Sequence, residues 1–397
     1  MRILFIVNRY TKNIDDGYTL RTSNICKYLK KKNNQIFMVH IDNEQDYNDI
    51  SNKDDLFEKI VPVPFEYYNT KRGKLYKFLV SFFQFVTYYT PNEIRSFHKE
   101  IKKIVQYYNI DIIHVQGNFI GLSLIGFQEV PMLLDITDSM TLYCKRKIKK
   151  SQNIKNQLKN LFYSNWYKYI EKRLLKNYKI ITVVSESDLL TLKKINEHSL
   201  IKNIPNGIDT DFFYPNHQEE EYPSIFFHGT MDFEPNIDAV KYIYNKILPL
   251  VKKEIPNLKF FIIGRNPTQE IKRWNNQEDI IVTGKVEDIR SYISKGSIAL
   301  MPMKSGSGIK NKILEAMAME KPVITNPLGA ESFDEEIKNV LLIGKTELEV
   351  AHYAVKLLKN SHMRQIVGKK SRKLVKKYDW RETSQEYANA YKKLLNI

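Results

Sequence analysis

Short apolar runs separated by helical patterns recur from the first residues of the chain almost to its end, and this alternation constrains the fold more than any other feature. Residues 3–7, 112–115, 132–134 and 180–184 read as strands of a first series. Residues 225–227, 260–263, 280–282, 298–301, 323–325 and 340–343 read as strands of a second. Helical patterns lie between them, notably at 18–32 and 154–177. Strands alternating with helices form crossover units, which build parallel sheets covered on both faces. At 397 residues the chain exceeds what one core usually serves, so two α/β domains are expected.

Residues 201–221 read IKNIPNGIDTDFFYPNHQEEE, a Pro-Asn-Gly turn followed by an acidic run, and this is the linker between the two series. The expected domains are 1–203 and 204–378. Residues 379–397 form an amphipathic helix, started near Trp380, that packs back on the first domain.

Lysine and arginine total 62 against 45 aspartates and glutamates, a formal charge of +17. Such an excess suits nucleic acid, an anionic membrane face or phosphorylated substrates. The basic residues are spread along the chain and no RNA- or DNA-binding motif accompanies them, so no nucleic-acid partner is expected. Cys26 and Cys144 have no CxxC spacing, which indicates neither a disulfide framework nor a zinc site. The opening MRILFIVNRY suits a buried first strand better than a signal peptide, and a cytoplasmic address follows. The longest stretches without charge, 78–92 and 112–128, fall short of a bilayer span. Residues 71–89, KRGKLYKFLVSFFQFVTYY, are basic and then aromatic. As a helix they suit either the core of the first domain or peripheral contact with an anionic membrane, at the inner face of the plasma membrane.

The stretch that carries chemistry is SGSGIKNKILEAMA at 305–318. Gly306 and Gly308 allow a tight turn that presents N–H groups, and the helix that follows adds unpaired donors and a positive dipole end. Lys310 and Lys312 stand where that dipole disfavours cations, by a few tenths to about 1 kcal/mol each, unless an anion sits there too. On a helical count Ile309, Ile313, Ala316 and Met317 form a packed stripe, whereas Gly308, Lys312 and Glu315 share another face. A diphosphate fits the turn, with Glu315 one turn deeper able to accept hydrogen bonds from two ribose hydroxyls.

This stretch resembles the donor-site signature of the retaining glycosyltransferases of family 4. The likeness extends to VSESD at 184–188, IPNGID at 204–209, FHGTMDFEPNIDAV at 227–240, IIGRNP at 262–267 and TGKVEDI at 283–289. It implies an α/β chain of GT-B fold, two Rossmann-like domains facing across a cleft, with the nucleotide-sugar held mostly by the second. Relatives commonly carry two glutamates with seven residues between them. Glu315 matches the second, the ribose ligand, and Ser307 stands at the first. Donor-binding positions implied in the second domain are Gly229, Arg265, Gly306, Ser307, Gly308, Ile309, Lys310, Lys312 and Glu315, with the base received by backbone groups of 283–288. In the first domain Gly17 and Arg21 resemble the family's first glycine loop. His114, at a strand end, and Asp138, where relatives contact the transferred sugar, are the expected catalytic-side residues.

The D-x-D triplet Asp209–Asp211 belongs to the linker turn, so no metal is expected, and no cofactor beyond the nucleotide-sugar substrate. Thr346 with Glu349 reads as a capping box rather than the end of a phosphate loop. The expected function is a retaining, metal-independent glycosyltransferase acting on a glycan or lipid-linked acceptor in bacterial surface polysaccharide assembly. In the absence of a paired-carboxylate motif, the expected chemistry is front-face attack assisted by the leaving phosphate. The alternative is a nucleotide-sugar epimerase of the same fold.

Overall fold

The computed structural model describes residues 1–8, 17–41, 55–63, 91–151, 153–216, 219–276, 278–305 and 308–396. The basic-aromatic stretch 71–89 lies outside the described residues, as do Gly306 and Ser307. The chain divides into two compact units, Met1–Pro205 with Trp380–Ile397, and Asn206–Asp379.

In the first unit, β1 (Arg2–Val7), β2 (Gln35–His40), β3 (Lys59–Pro62), β4 (Ile112–Gln116), β5 (Met132–Thr137), β6 (Ile180–Val183) and β7 (Ile201–Asn203) form one sheet. Its order is β3-β2-β1-β4-β5-β6-β7, and every pairing is parallel. Two strands, β2 and β3, are additional to the pattern read from the sequence. β7 takes the first three residues of the expected linker, because Ile201 pairs with Ile181 and has its side chain buried.

Period-two alternation divides the sheet residues between two cores. Leu4, Ile6, Ile113, Val115, Leu134 and Ile181 face the long helix Ile154–Asn177, through its Trp166, Ile170 and Leu174, and the helix Pro91–Tyr107. Ile3, Phe5, Ile112, Leu133 and Ile180 face the helices Gly17–Lys30 and Trp380–Leu395. The C-terminal helix thus completes the first unit's second layer, with Trp380, Tyr387 and Tyr391 fully covered.

A polar cluster sits inside that second layer. Asp135 of β5, itself 0% exposed, accepts from Arg21 Nε at 3.0 Å and from the Tyr387 hydroxyl at 2.6 Å. Arg21 also donates to the Ile204 carbonyl at 2.8 Å and to Tyr387. His114 of β4 stacks on Phe5 and shares a 2.7 Å hydrogen bond with the Tyr391 hydroxyl. Burial works against the Asp135 carboxylate, yet the adjacent Arg21 guanidinium and the bonds it receives hold its pKa below the ordinary value. Burial pushes His114 down to about 4, with Asp135 opposing and Arg21 reinforcing.

The second unit repeats the plan. β8 (Ser224–His228), β9 (Lys259–Ile263), β10 (Ile280–Gly284), β11 (Ile298–Met301), β12 (Val323–Thr325) and β13 (Leu342–Ile343) form a parallel sheet in the order β10-β9-β8-β11-β12-β13. β8 and β11 are fully buried runs, as strands covered on both faces must be. At the turn read as a capping box, Thr346 Oγ1 accepts from the Glu349 N–H and the Glu349 carboxylate accepts from the Lys345 N–H.

Removing the Arg21 charge by Arg21→Leu strands a buried carboxylate and should cost about 3–5 kcal/mol in denaturant unfolding. Tyr387→Phe should cost about 1–3 kcal/mol. Since His114 is depressed from 6.5 to about 4, the stability it contributes is present above 6.5 and is lost as pH falls toward 4. His114→Gln should flatten that part of the stability–pH curve.

Candidate functional site

In both sheets the strand order reverses beside the first strand, at β1/β4 and at β8/β11. Loops at the carboxyl ends of strands flanking such a point are where open α/β sheets take ligands. In the second unit those loops hold the glycine-lysine turn and the segment after β8.

β8 ends at His228, and the next residue, Gly229, has φ +149°. Its neighbour across the sheet, Gly264, has φ +147°. The Gly229 N–H donates to the Ile263 carbonyl at 3.0 Å, so the two chain segments leave the sheet together. A methyl group on Gly264 would lie 1.8 Å from the Gly229 carbonyl oxygen. Only glycine allows this backbone contact.

Asn236, in the helix Glu234–Tyr242, is buried and donates to the Thr230 carbonyl at 2.8 Å. Its other amide atom accepts from the Lys312 ammonium, which also lies 4.4 Å from the centre of the Phe227 ring. A Cβ built on Gly229 would stand 3.2 Å from the same nitrogen. Burial lowers the Lys312 pKa to about 7; the Glu315 carboxylate opposes the shift and the Lys310 charge adds to it. Lys312 is partly covered as a residue, but its ammonium is packed among an amide, a ring and a glycine backbone.

Glu315, one turn along the helix Asn311–Ala318, meets His228 Nε2 at 2.7 Å. His228 is 1% exposed and Glu315 20%, so the carboxylate is fixed from below and open above. A bond to a carboxylate requires the proton on Nε2, which leaves His228 Nδ1 a buried atom with no hydrogen-bond partner among the described residues.

The helix itself begins at Asn311, with Lys310 at the N-cap and no side-chain cap among the described residues. Lys310 is therefore not in the first turn, as the sequence suggested. It is buried, and its ammonium donates at 2.8 Å to the Gly308 carbonyl, which also accepts from Ser332 Oγ at 2.9 Å. Gly308 adopts φ +66° and Ile309 is buried in the unit's core. Lys310 thus braces the turn, and Lys312 is the cation beside it. Arg265 follows β9, half-buried, and its carbonyl accepts from the Met231 N–H at 2.8 Å.

The first-unit expectations fare differently. Arg21 and His114 were read as facing a ligand, but the structure buries both at 0% and 1% exposure in the Asp135 cluster, because helix Trp380–Leu395 covers that face. They stitch the first unit together. Gly17 opens its helix at an exposed position, with none of the described residues within 4 Å of a built Cβ. Asp138 is half-buried just past β5, following Thr137 at φ 67°. Ser139 caps the helix Met140–Lys150 and donates at 3.0 Å to Glu171, whose carboxyl burial pushes up to about 7 against the bonds from Thr141 and Ser139. The D-x-D triplet is a turn: Asp209 Oδ1 accepts from the Asp211 and Phe212 N–H groups at 3.1 and 2.9 Å. Asn236 and His228 escaped the sequence reading although both lie in the quoted FHGTMDFEPNIDAV, because nothing in their spacing shows that a helix some eighty residues on returns to them.

Two parallel sheets with these strand-end loops define a two-domain GT-B protein. Residues 62–212 match the model of Glycosyltransferase Family 4, and residues 222–360 match that of Glycosyl transferases group 1. The chain belongs to the group 1 glycosyltransferases of GT-B fold. It is 26% identical over 152 residues to an uncharacterized 44.6 kDa protein in the cps region of Klebsiella pneumoniae, 36% of this chain and 39% of that one. The chain spans 31–39% of the length of the curated relatives it matches. Among solved structures it is similar to sucrose-phosphate synthase from Thermosynechococcus elongatus, with TM-score 0.70, 16% identity, and 100% and 99% of the two chains covered. It is also similar to a mutant of TarM from S. aureus in complex with Fondaparinux, alpha-GlcNAc-glycerol and UDP, with TM-score 0.69, 14% identity and 100% of both chains covered.

Gly264→Ala forces apart two backbones at a positive φ and should lower stability by at least about 2 kcal/mol. Thermal unfolding checks this; an unchanged Tm contradicts the glycine contact.

Proposed function

We propose that this protein transfers a glycosyl group from a nucleotide-sugar to a glycan or lipid-linked acceptor, with retention of anomeric configuration and without a metal ion. The observation that carries the reading is the pairing of Lys312, held beside the Gly229 backbone, with Glu315, held by His228, on one helix face. The ammonium and the helix N-terminus, which has no side-chain cap among the described residues, suit a diphosphate. The half-open carboxylate one turn away suits the ribose hydroxyls. As the bond to the sugar breaks, negative charge grows on the leaving diphosphate, and donors already in position stabilise it without reorganising. Attack from the same face, with the leaving phosphate taking the acceptor's proton, needs no carboxylate nucleophile. Asp138 is assigned to the sugar side of the reaction, and Gly308, Ile309 and Arg265 to the donor's surroundings. The TarM mutant, which matches this chain over its full length, is in complex with UDP, and this makes uridine nucleotides the first donors to test. The relative from a cps region supports a role in surface polysaccharide assembly, and a cytoplasmic address belongs to the same proposal.

Glu315→Ala and Lys312→Ala should each cut turnover at least about tenfold, equivalent to about 1.4 kcal/mol of transition-state stabilisation. Unchanged rates in both would remove the site. A cognate nucleotide at a hundredfold its Kd should stabilise the protein by about 2.7 kcal/mol. Because Lys312 titrates at about 7, affinity for a nucleotide-sugar, whose diphosphate has no proton to lose there, should hold below pH 7 and fall as pH rises above it. Lys312→Arg should flatten that dependence in a binding titration.

A further inference from the structure

The helix Ile154–Asn177 buries only its second half, through Trp166, Ile170, Leu174 and Leu175. Ile154, Leu158, Leu161, Phe162 and Tyr169 are 70%, 62%, 49%, 50% and 46% exposed. At about 100° per residue these five fall in one stripe about 100° wide. Apolar residues exposed singly need no explanation, but a row of them along one helix does.

Charge identifies what covers the row. Between Asp138 and Glu171 the chain has no acidic residue, and it carries eight lysines and arginines there. Lys155 and Lys159 border the stripe on one side and Lys168 on the other, all exposed. The helix Met140–Lys150, packed against Ile154–Asn177, adds exposed Lys145 and Lys147. A second copy of this chain would bring like charges together across such a face. A convex helix surface with long cationic side chains beside an apolar stripe fits an anionic lipid bilayer, in which acyl chains conform to the stripe and headgroup phosphates meet the ammonium groups.

We propose that this helical pair is a docking surface for anionic membrane, with about 22 Å of helix, Ile154 to Tyr169, lying along the interface. The surface stands independently of the transfer reading, since none of its residues belongs to the candidate site.

The test is co-sedimentation of the full chain with phosphatidylcholine vesicles, with and without phosphatidylglycerol, at low and high salt. Binding should require phosphatidylglycerol and weaken with salt. The double variants Leu158→Ser/Phe162→Ser and Lys155→Glu/Lys159→Glu should each reduce it about tenfold while leaving Tm unchanged. Wild-type binding in both variants, absence of binding to phosphatidylglycerol vesicles, or equal binding to both vesicle types overturns the proposal. So does a wild-type dimer that Leu158→Ser/Phe162→Ser converts to monomer, which would show that a second copy covers the stripe.

Discussion

A parallel strand can be followed by another only through a crossover, so every strand of a parallel sheet ends at the same edge. That constraint underlies the candidate site. The segment after β8 and the turn after β11 emerge side by side because those strands are neighbours, although the helix Asn311–Ala318 comes long after His228 in the chain. Gly229 and Gly264 then let two exiting backbones touch, which leaves room for the Lys312 ammonium where a side chain would otherwise stand.

Two cations near helix starts have opposite fates, and their partners explain why. Arg21 meets a carboxylate, a phenol hydroxyl and a carbonyl inside the first unit, and its charge is locked in place. Lys312 meets a neutral amide and the face of a ring, and burial brings its pKa to about 7. The first arrangement locks a charge into the fold; in the second, burial lowers the pKa of the cation. Charge at a helix start is the same signal in both places, and only the neighbours separate the two outcomes.

Much of the architecture was legible in the chain. Buried strands such as 298–301 and 323–325 stand out as apolar runs, and the helix 380–395 shows its period clearly. β2 and β3 were less visible, because QIFMVH carries polar Gln35 and His40 at its ends and KIVP is only four residues long and holds a proline. Lys312 and Glu315 were found from local spacing, as a helix makes i and i+3 neighbours by its own geometry. His228 and Asn236 were not, since their contacts cross from one element to another.

The order of residues by itself determined which segments become strand or helix, that the sheets are parallel, and that a glycine turn leads into a helix carrying Lys312 and Glu315. Those properties depend on neighbours within a few positions. Tertiary structure alone decided that Arg21 and His114 lie beneath the C-terminal helix, that Lys312 meets Asn236, and that His228 holds Glu315. Each rests on a contact between residues distant in the chain, formed only once the packing of the layers brings them within hydrogen-bond reach.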